Sequence, residues 1–127
     1  MNPALADLEC ALDRLEEALL SPEVAKEEAH LLPHFRECFD LACEAIRGEL
    51  REEEAGSQPP LHYLRLAFQA GWLHEEEMWV AMYQDWRRST ASGIEDFDGF
   101  FRRLPHYLRA FERLGASLAR FPACSGL

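Results

Sequence analysis

The chain has 127 residues, 48% of them hydrophobic, which supplies one packed core and excludes a disordered tail. Thirteen basic residues against 23 acidic ones give a net charge of −10, which excludes a general grip on nucleic acid because that needs clustered Lys and Arg. No run approaches the roughly 18 apolar residues of a membrane span, so no membrane association is expected.

Asn2-Pro3 opens the first helix with a capping side chain followed by proline at the first helical position. Leu5, Leu8, Leu12, Leu15 and Leu19 then recur in steps of three and four, one stripe of a helix that runs to about Leu20. Met1 to Glu9 lacks a basic region followed by an apolar run, so no signal peptide is expected and the expected location is cytoplasmic. Ser21-Pro22 repeats the start signal, which predicts a short loop and an antiparallel second helix. Its stripe is Leu32, Phe35, Phe39, Ala42, Ile46 and Leu50, and it ends near Arg51. Pro33 lies inside that pattern and predicts either a kink or the true beginning. Glu52 to Pro59 reads as a polar connection.

Pro60 opens a short third helix with Leu61, Leu64 and Phe68 inward. Gly71 fits the left-handed residue that ends it, with Trp72 folding back on the last turn. The fourth helix starts near His74. Glu75, Glu76 and Glu77 sit at its positive end and Arg87 and Arg88 at its negative end, as the helix dipole prefers. Its stripe is Met78, Trp79, Met82, Tyr83 and Trp86. Ser89 to Gly93 reads as a loop, with Ser92 and Glu95 at capping-box spacing. The fifth helix carries Phe97, Phe101, Leu104, Leu108, Phe111, Leu114, Leu118 and Phe121, bent by Pro105 and stopped by Pro122. Five such stripes and no strand pattern predict an all-α fold: one domain over residues 1–127, an up-and-down bundle of four to five helices.

Cys10, Cys38, Cys43 and Cys124 form no CxxC pair and read as free, buried, small hydrophobes. His30, His34 and Cys38 share one helix face, which is half of a metal site at most. Neither HExxH nor a paired Glu-x-x-His motif accompanies them, so no metal and no cofactor is expected. Phosphate loops, GxSxG and Cys/His nucleophile signatures are also missing.

The charge is uneven. Residues 1–85 hold 6 basic and 19 acidic groups, while residues 86–127 hold 7 basic and 4 acidic, or −13 against +3. Such an asymmetry suits an acidic ligand or partner for the C-terminal third, though a match to the acidic helices of its own fold or dimer mate accounts for it more simply. The best local candidate for a site is Asp85-Trp86-Arg87-Arg88-Ser89-Thr90, with Tyr83 two residues before it. It joins a carboxylate, an indole and two guanidinium groups, and arginines there can bind phosphate by paired hydrogen bonds. The same residues also read as a dipole-complementing helix end with Trp86 in the core.

Three blocks together resemble a known family. They are Phe35 to Ala42 followed by Ala45-Ile46, then Ala67 to Leu73 with Glu77 to Met82, then Leu104-Pro105-His106-Tyr107-Leu108. Their order and spacing are similar to the nucleotidyltransferase substrate-binding proteins, HEPN-like all-helical subunits that accompany minimal nucleotidyltransferases. The resemblance implies a homodimer bound to a small nucleotidyltransferase, with a nucleotide or other phosphate as ligand. Relatives that are ribonuclease toxins of toxin–antitoxin pairs use an Arg and a His after the fourth helix. Here the family's Asp-Arg-Asn becomes Asp85-Trp86-Arg87, and the expected His falls near Thr90 or Ala91, with no His between His74 and His106. The usual Trp-Lys of the second helix becomes Cys43-Glu44, and no Tyr stands between Tyr83 and Tyr107. A ribonuclease of this type needs the imidazole for proton transfer. The resemblance therefore implies a non-catalytic binding subunit, with Tyr83, Asp85, Trp86, Arg87 and Arg88 lining the residual groove. Its alternative is the ribonuclease toxin.

Overall fold

A computed structural model describes residues 2–20, 28–50, 56, 59–91 and 96–120, apart from the side chains of 28–30 and 120. They form five helices and, among the described residues, no strand: α1 (Pro3–Leu20), α2 (Glu28–Gly48), α3 (Pro60–Gln69), α4 (Glu76–Ala91) and α5 (Phe97–Arg120). None of these helices is long and apolar enough to cross a membrane.

Side-chain pairs fix the topology. The Asn2 amide, at the start of α1, donates to the Ala45 carbonyl (2.7 Å) and to Glu49 (3.1 Å) near the end of α2, while Arg14 pairs with Glu37 further along. The two helices are therefore antiparallel. Trp86 meets Asp40 and Ser89 meets Arg36, so α4 is antiparallel to α2. Glu75 pairs with Arg113, and Asp85 with Arg103, so α5 is antiparallel to α4. Leu5 approaches Gly115 and closes α5 onto α1. The result is an up-down-up-down square of α1, α2, α4 and α5. The short α3 packs on α2 and α4 at the crossover, and α2 touches every other helix.

Aromatic rings fill the middle. Phe35 lies edge-on to Phe100 at 5.0 Å and stacks on Tyr107 at 5.8 Å, and Trp79 stands edge-on to Phe111 at 5.5 Å. Pairs of this kind contribute about 0.5–1.5 kcal/mol each beyond the area they bury.

Several local expectations are corrected. On α3, Leu64 is buried and Phe68 half-buried against the core as expected, but Leu61 is 39% exposed and Tyr63 and Ala67 are buried in its place. At 100° per residue Tyr63 and Ala67 fall on one side of Leu64 and Leu61 on the other, and the bundle takes the first side. The end of α3 follows the expectation. Gly71 has φ +80°, its N–H donates to the Phe68 carbonyl (3.1 Å), and the Trp72 N–H reaches the Ala67 carbonyl (2.9 Å), a Schellman motif. α4 begins at Glu76 rather than His74, because Glu75 adopts φ 61°, a left-handed conformation that costs a residue with a Cβ about 1–2 kcal/mol.

α4 also outlasts its expected end at Ser89. The hydroxyls of Ser89 and Thr90 donate back to the Trp86 and Arg87 carbonyls (2.7 and 3.0 Å), so both residues are satisfied inside the helix. The proposed Ser92–Glu95 box lies outside the described residues. Asp96 does the capping, with its carboxylate accepting from the Gly99 N–H at 3.0 Å. Pro33 and Pro105 both lie within helices, each removing the N–H owed to the carbonyl four residues before it. α2 ends at Gly48, three residues short of the expected Arg51, and Ser21-Pro22, Phe121 and Pro122 lie outside the described residues. Of the cysteines, Cys38 and Cys43 are buried as expected, but Cys10 is exposed; Cys124 lies outside the described residues.

Candidate functional site at the end of α4

The site grows from a conflict on α4. Trp79, Met82, Asp85 and Ser89 recur in steps of three, three and four and form the buried stripe of the helix. One member of that stripe is a carboxylate. Asp85 is 1% exposed and must find donors within the bundle. α5 supplies them from two residues one turn apart. The Tyr107 hydroxyl donates to Asp85 Oδ2 at 2.6 Å, and Arg103 donates through Nε and Nη2 at 3.1 Å each. Arg103 Nε also reaches the Tyr107 oxygen at 3.1 Å, and Arg88 Nη1 stands 3.4 Å from Asp85 Oδ1.

The electrostatics follow the same geometry. Burial pushes the Tyr107 phenol well above its usual range, and the Asp85 carboxylate adds to the rise while Arg103 opposes it. Burial disfavours the Arg103 guanidinium, yet Asp85 and Tyr107 outweigh that and hold it charged more firmly than usual. Asp85 is thus matched in charge and saturated with donors.

The next residue faces the other way. The Trp86 indole N–H donates to Asp40 on α2 at 3.0 Å, and the ring stacks on Phe39 at 5.2 Å and on Tyr83 at 6.2 Å. Burial raises the Asp40 carboxyl, and Glu44 adds to this, against the lowering by Trp86 and Arg36. The Arg87 guanidinium lies over the Tyr83 ring, 5.8 Å from its centre. Arg36 donates to the Ser89 carbonyl at 3.2 Å and so places a cation at the negative end of α4.

Tyr83, Gln84, Trp86, Arg87, Arg88, Thr90 and Ala91 border an open groove of about 610 Å³. Of the five residues expected to share a site, Tyr83, Trp86, Arg87 and Arg88 line this groove. Asp85 does not; it points into α5. Sequence reasoning missed Arg103, Tyr107 and Asp40. The signal for the first two was present, since Asp85 continues the α4 stripe and an Arg and a Tyr four apart on α5 are suited to meet it. Asp40 carries no such signal, because its partner is 46 residues away.

The groove offers aromatic surface and two guanidinium groups, which suit an anionic ligand. Among its described lining residues there is no imidazole and no carboxylate to take or give a proton. Among the described residues no group of three or more His, Cys, Asp or Glu is placed to hold a metal. Cys38, one of the three candidate ligands, is fully buried, and burial pushes its thiol up to about 12. No family model, curated protein or solved structure matches this chain.

Proposed function

We propose that this chain is a non-catalytic binding subunit that docks a small nucleotidyltransferase and offers Arg87 and Arg88 to a phosphate-bearing ligand of that enzyme. One observation carries the reading. At the position where the resembled family places its catalytic motif, the carboxylate of Asp85 is withdrawn into the core and saturated by Arg103 and Tyr107. What remains outward is an indole, a phenol and two guanidinium groups, a binding surface with no imidazole and no carboxylate among its described residues. The assignment to a HEPN-like subunit rests on the sequence blocks that carry the resemblance.

Co-expression with a small nucleotidyltransferase from the same genome, followed by size exclusion with light scattering, tests the proposal. A stable complex is expected, and R87A/R88A should weaken phosphate-ligand binding at least about tenfold, the value of one or two charge-assisted hydrogen bonds. A chain that ignores that enzyme refutes the reading. RNA cleavage by purified protein, abolished in R87A/R88A, replaces it with the ribonuclease.

A further inference from the structure

The basic surplus of the C-terminal third has a location. On α5, Arg102, His106, Arg109 and Arg113 recur in steps of four, three and four and are all exposed. At about 100° and 1.5 Å per residue they fall within an arc of about 60° and span about 16 Å. Arg103 and Arg113 bond to Asp85 and Glu75 of α4, so the stripe runs along the outer face of α5 on its α4 side. Asp98, a turn before Arg102, bounds it at one end, and Glu75, paired with Arg113, bounds it at the other. The acidic side chains Glu9, Asp13 and Glu16 of α1 line the groove on the opposite flank of α5, together with Glu112, and do not meet it. Arg102 and Arg109 accordingly make no ion pair with another described residue. For these two cations a match to the acidic helix of their own fold fails.

Length and period select the occupant. Duplex nucleic acid carries one charge per about 1.7 Å, so about 16 Å of it sets roughly ten phosphates against this short stripe. Its backbone would then run on past Asp98 and Glu75 over a chain of net charge −10. Single strands are gripped by rings that stack on bases, and no Phe, Tyr or Trp shares the arc. An acidic helix has neither fault. Glu or Asp in steps of three and four recur at the same rise as the stripe, so two carboxylates two turns apart meet Arg102 and Arg109 together. Each carboxylate takes a guanidinium by paired hydrogen bonds. A helix whose charges end within the stripe stays clear of the carboxylates at its two ends.

We propose that the outer face of α5 between Arg102 and Arg113 docks an acidic helix of another protein, with Arg102 and Arg109 as the two anchoring cations. This face is separate from the groove at the end of α4, and docking here requires neither a phosphate ligand nor a nucleotidyltransferase.

Two-dimensional NMR of the full chain tests it, titrated at low salt with an alanine-rich helical peptide of about 20 residues bearing Glu in steps of three and four. Shift changes should saturate and centre on residues 102–113, and a peptide with Gln in place of Glu should produce none. R102E/R109E, with circular dichroism confirming its helix content, should weaken binding about tenfold or more, because two attractions become two repulsions. A peptide with Lys at the two facing positions should bind that variant to within about threefold of the original pair, since opposite charges again meet. No response to the Glu peptide overturns the proposal. So does an equal response to the Gln peptide, or a variant that binds the Glu peptide as the parent does. Tighter binding of an oligouridylate of equal charge to the same residues gives the face to nucleic acid and also overturns it. Shifts of these residues on dilution of the protein alone, lost in R102E/R109E, give it to a second copy with the same result.

Discussion

Replacing Asp85 with Ala asks whether one buried carboxylate fastens α4 to α5. That carboxylate accepts one hydrogen bond from Tyr107 and two from Arg103. Bonds to charged groups contribute about 1.5–3 kcal/mol each, which taken alone suggests a very large loss. Two features reduce it. The Arg103 side chain is 39% exposed and rehydrates once its partner is gone, which discounts its share. Tyr107 keeps Arg103 as a donor to its oxygen, so only its own proton is left without an acceptor. Breaking a fully buried pair costs about 3–5 kcal/mol, and a pair with one wet partner falls at the low end, about 3 kcal/mol. Tyr107→Phe should cost about 1 kcal/mol, because Asp85 keeps both bonds from Arg103. The double variant should fall short of the sum of the two by about 1 kcal/mol, since both single changes remove the same hydroxyl–carboxylate bond. Urea unfolding followed by far-UV circular dichroism measures all three, with unchanged m values as the check on two-state behaviour. A loss under about 1 kcal/mol for Asp85→Ala, the scale of an ordinary surface substitution, or strict additivity of the pair, would refute the argument.

Other expectations follow from single side chains. Trp79 is 1% exposed against Phe111, so Trp79→Ala should cost about 3–5 kcal/mol in the same assay; a change under about 1 kcal/mol means the ring is not in the core. Burial holds the Asp40 carboxyl above its usual range, so the folded chain takes up that proton at higher pH than the unfolded chain does. The resulting penalty is present at neutral pH and disappears as pH falls through the raised value toward the ordinary one. Asp40→Asn keeps an acceptor for Trp86 and should be more stable than the parent near pH 7, with the gain shrinking toward about pH 4; a gain that does not change with pH would count against this. Burial raises the thiols of Cys38 and Cys43, whereas Cys10 is open to solvent. In a Cys124→Ser background a disulfide reagent should therefore titrate one thiol quickly and the other two at the rate of unfolding. Rapid reaction of all three would contradict the buried placement.

The helices were legible because their leucine and phenylalanine spacings are long and regular. Leu8, Leu12 and Leu15 on α1 and Leu104, Phe111, Leu114 and Leu118 on α5 are all buried where their period puts them. Short elements were read less well. α3 has ten residues, too few for the period to choose between Leu61 and Tyr63, and the choice was made by how α3 lies on α2 and α4. Asp85 shows a different limit. Its carboxylate chemistry suggested an outward role, while its place in the Trp79–Met82–Ser89 stripe indicated burial, and the structure follows the period. Arg87 and Arg88 were readable as a cationic helix end, but the pairing of Trp86 with Asp40 depends on how α2 and α4 meet and is written in neither segment alone.

The last turn of α4 is riveted to α2 at two points about a turn apart, Trp86 to Asp40 and the Ser89 carbonyl to Arg36. One rivet would leave a pivot; two fix rotation as well as position. Arg87 and Arg88 are thus mounted on a rigid platform instead of a fraying tip. A partner arriving there meets cations whose backbone is already set, so little ordering entropy remains to be lost on association, and a modest number of contacts goes further toward affinity.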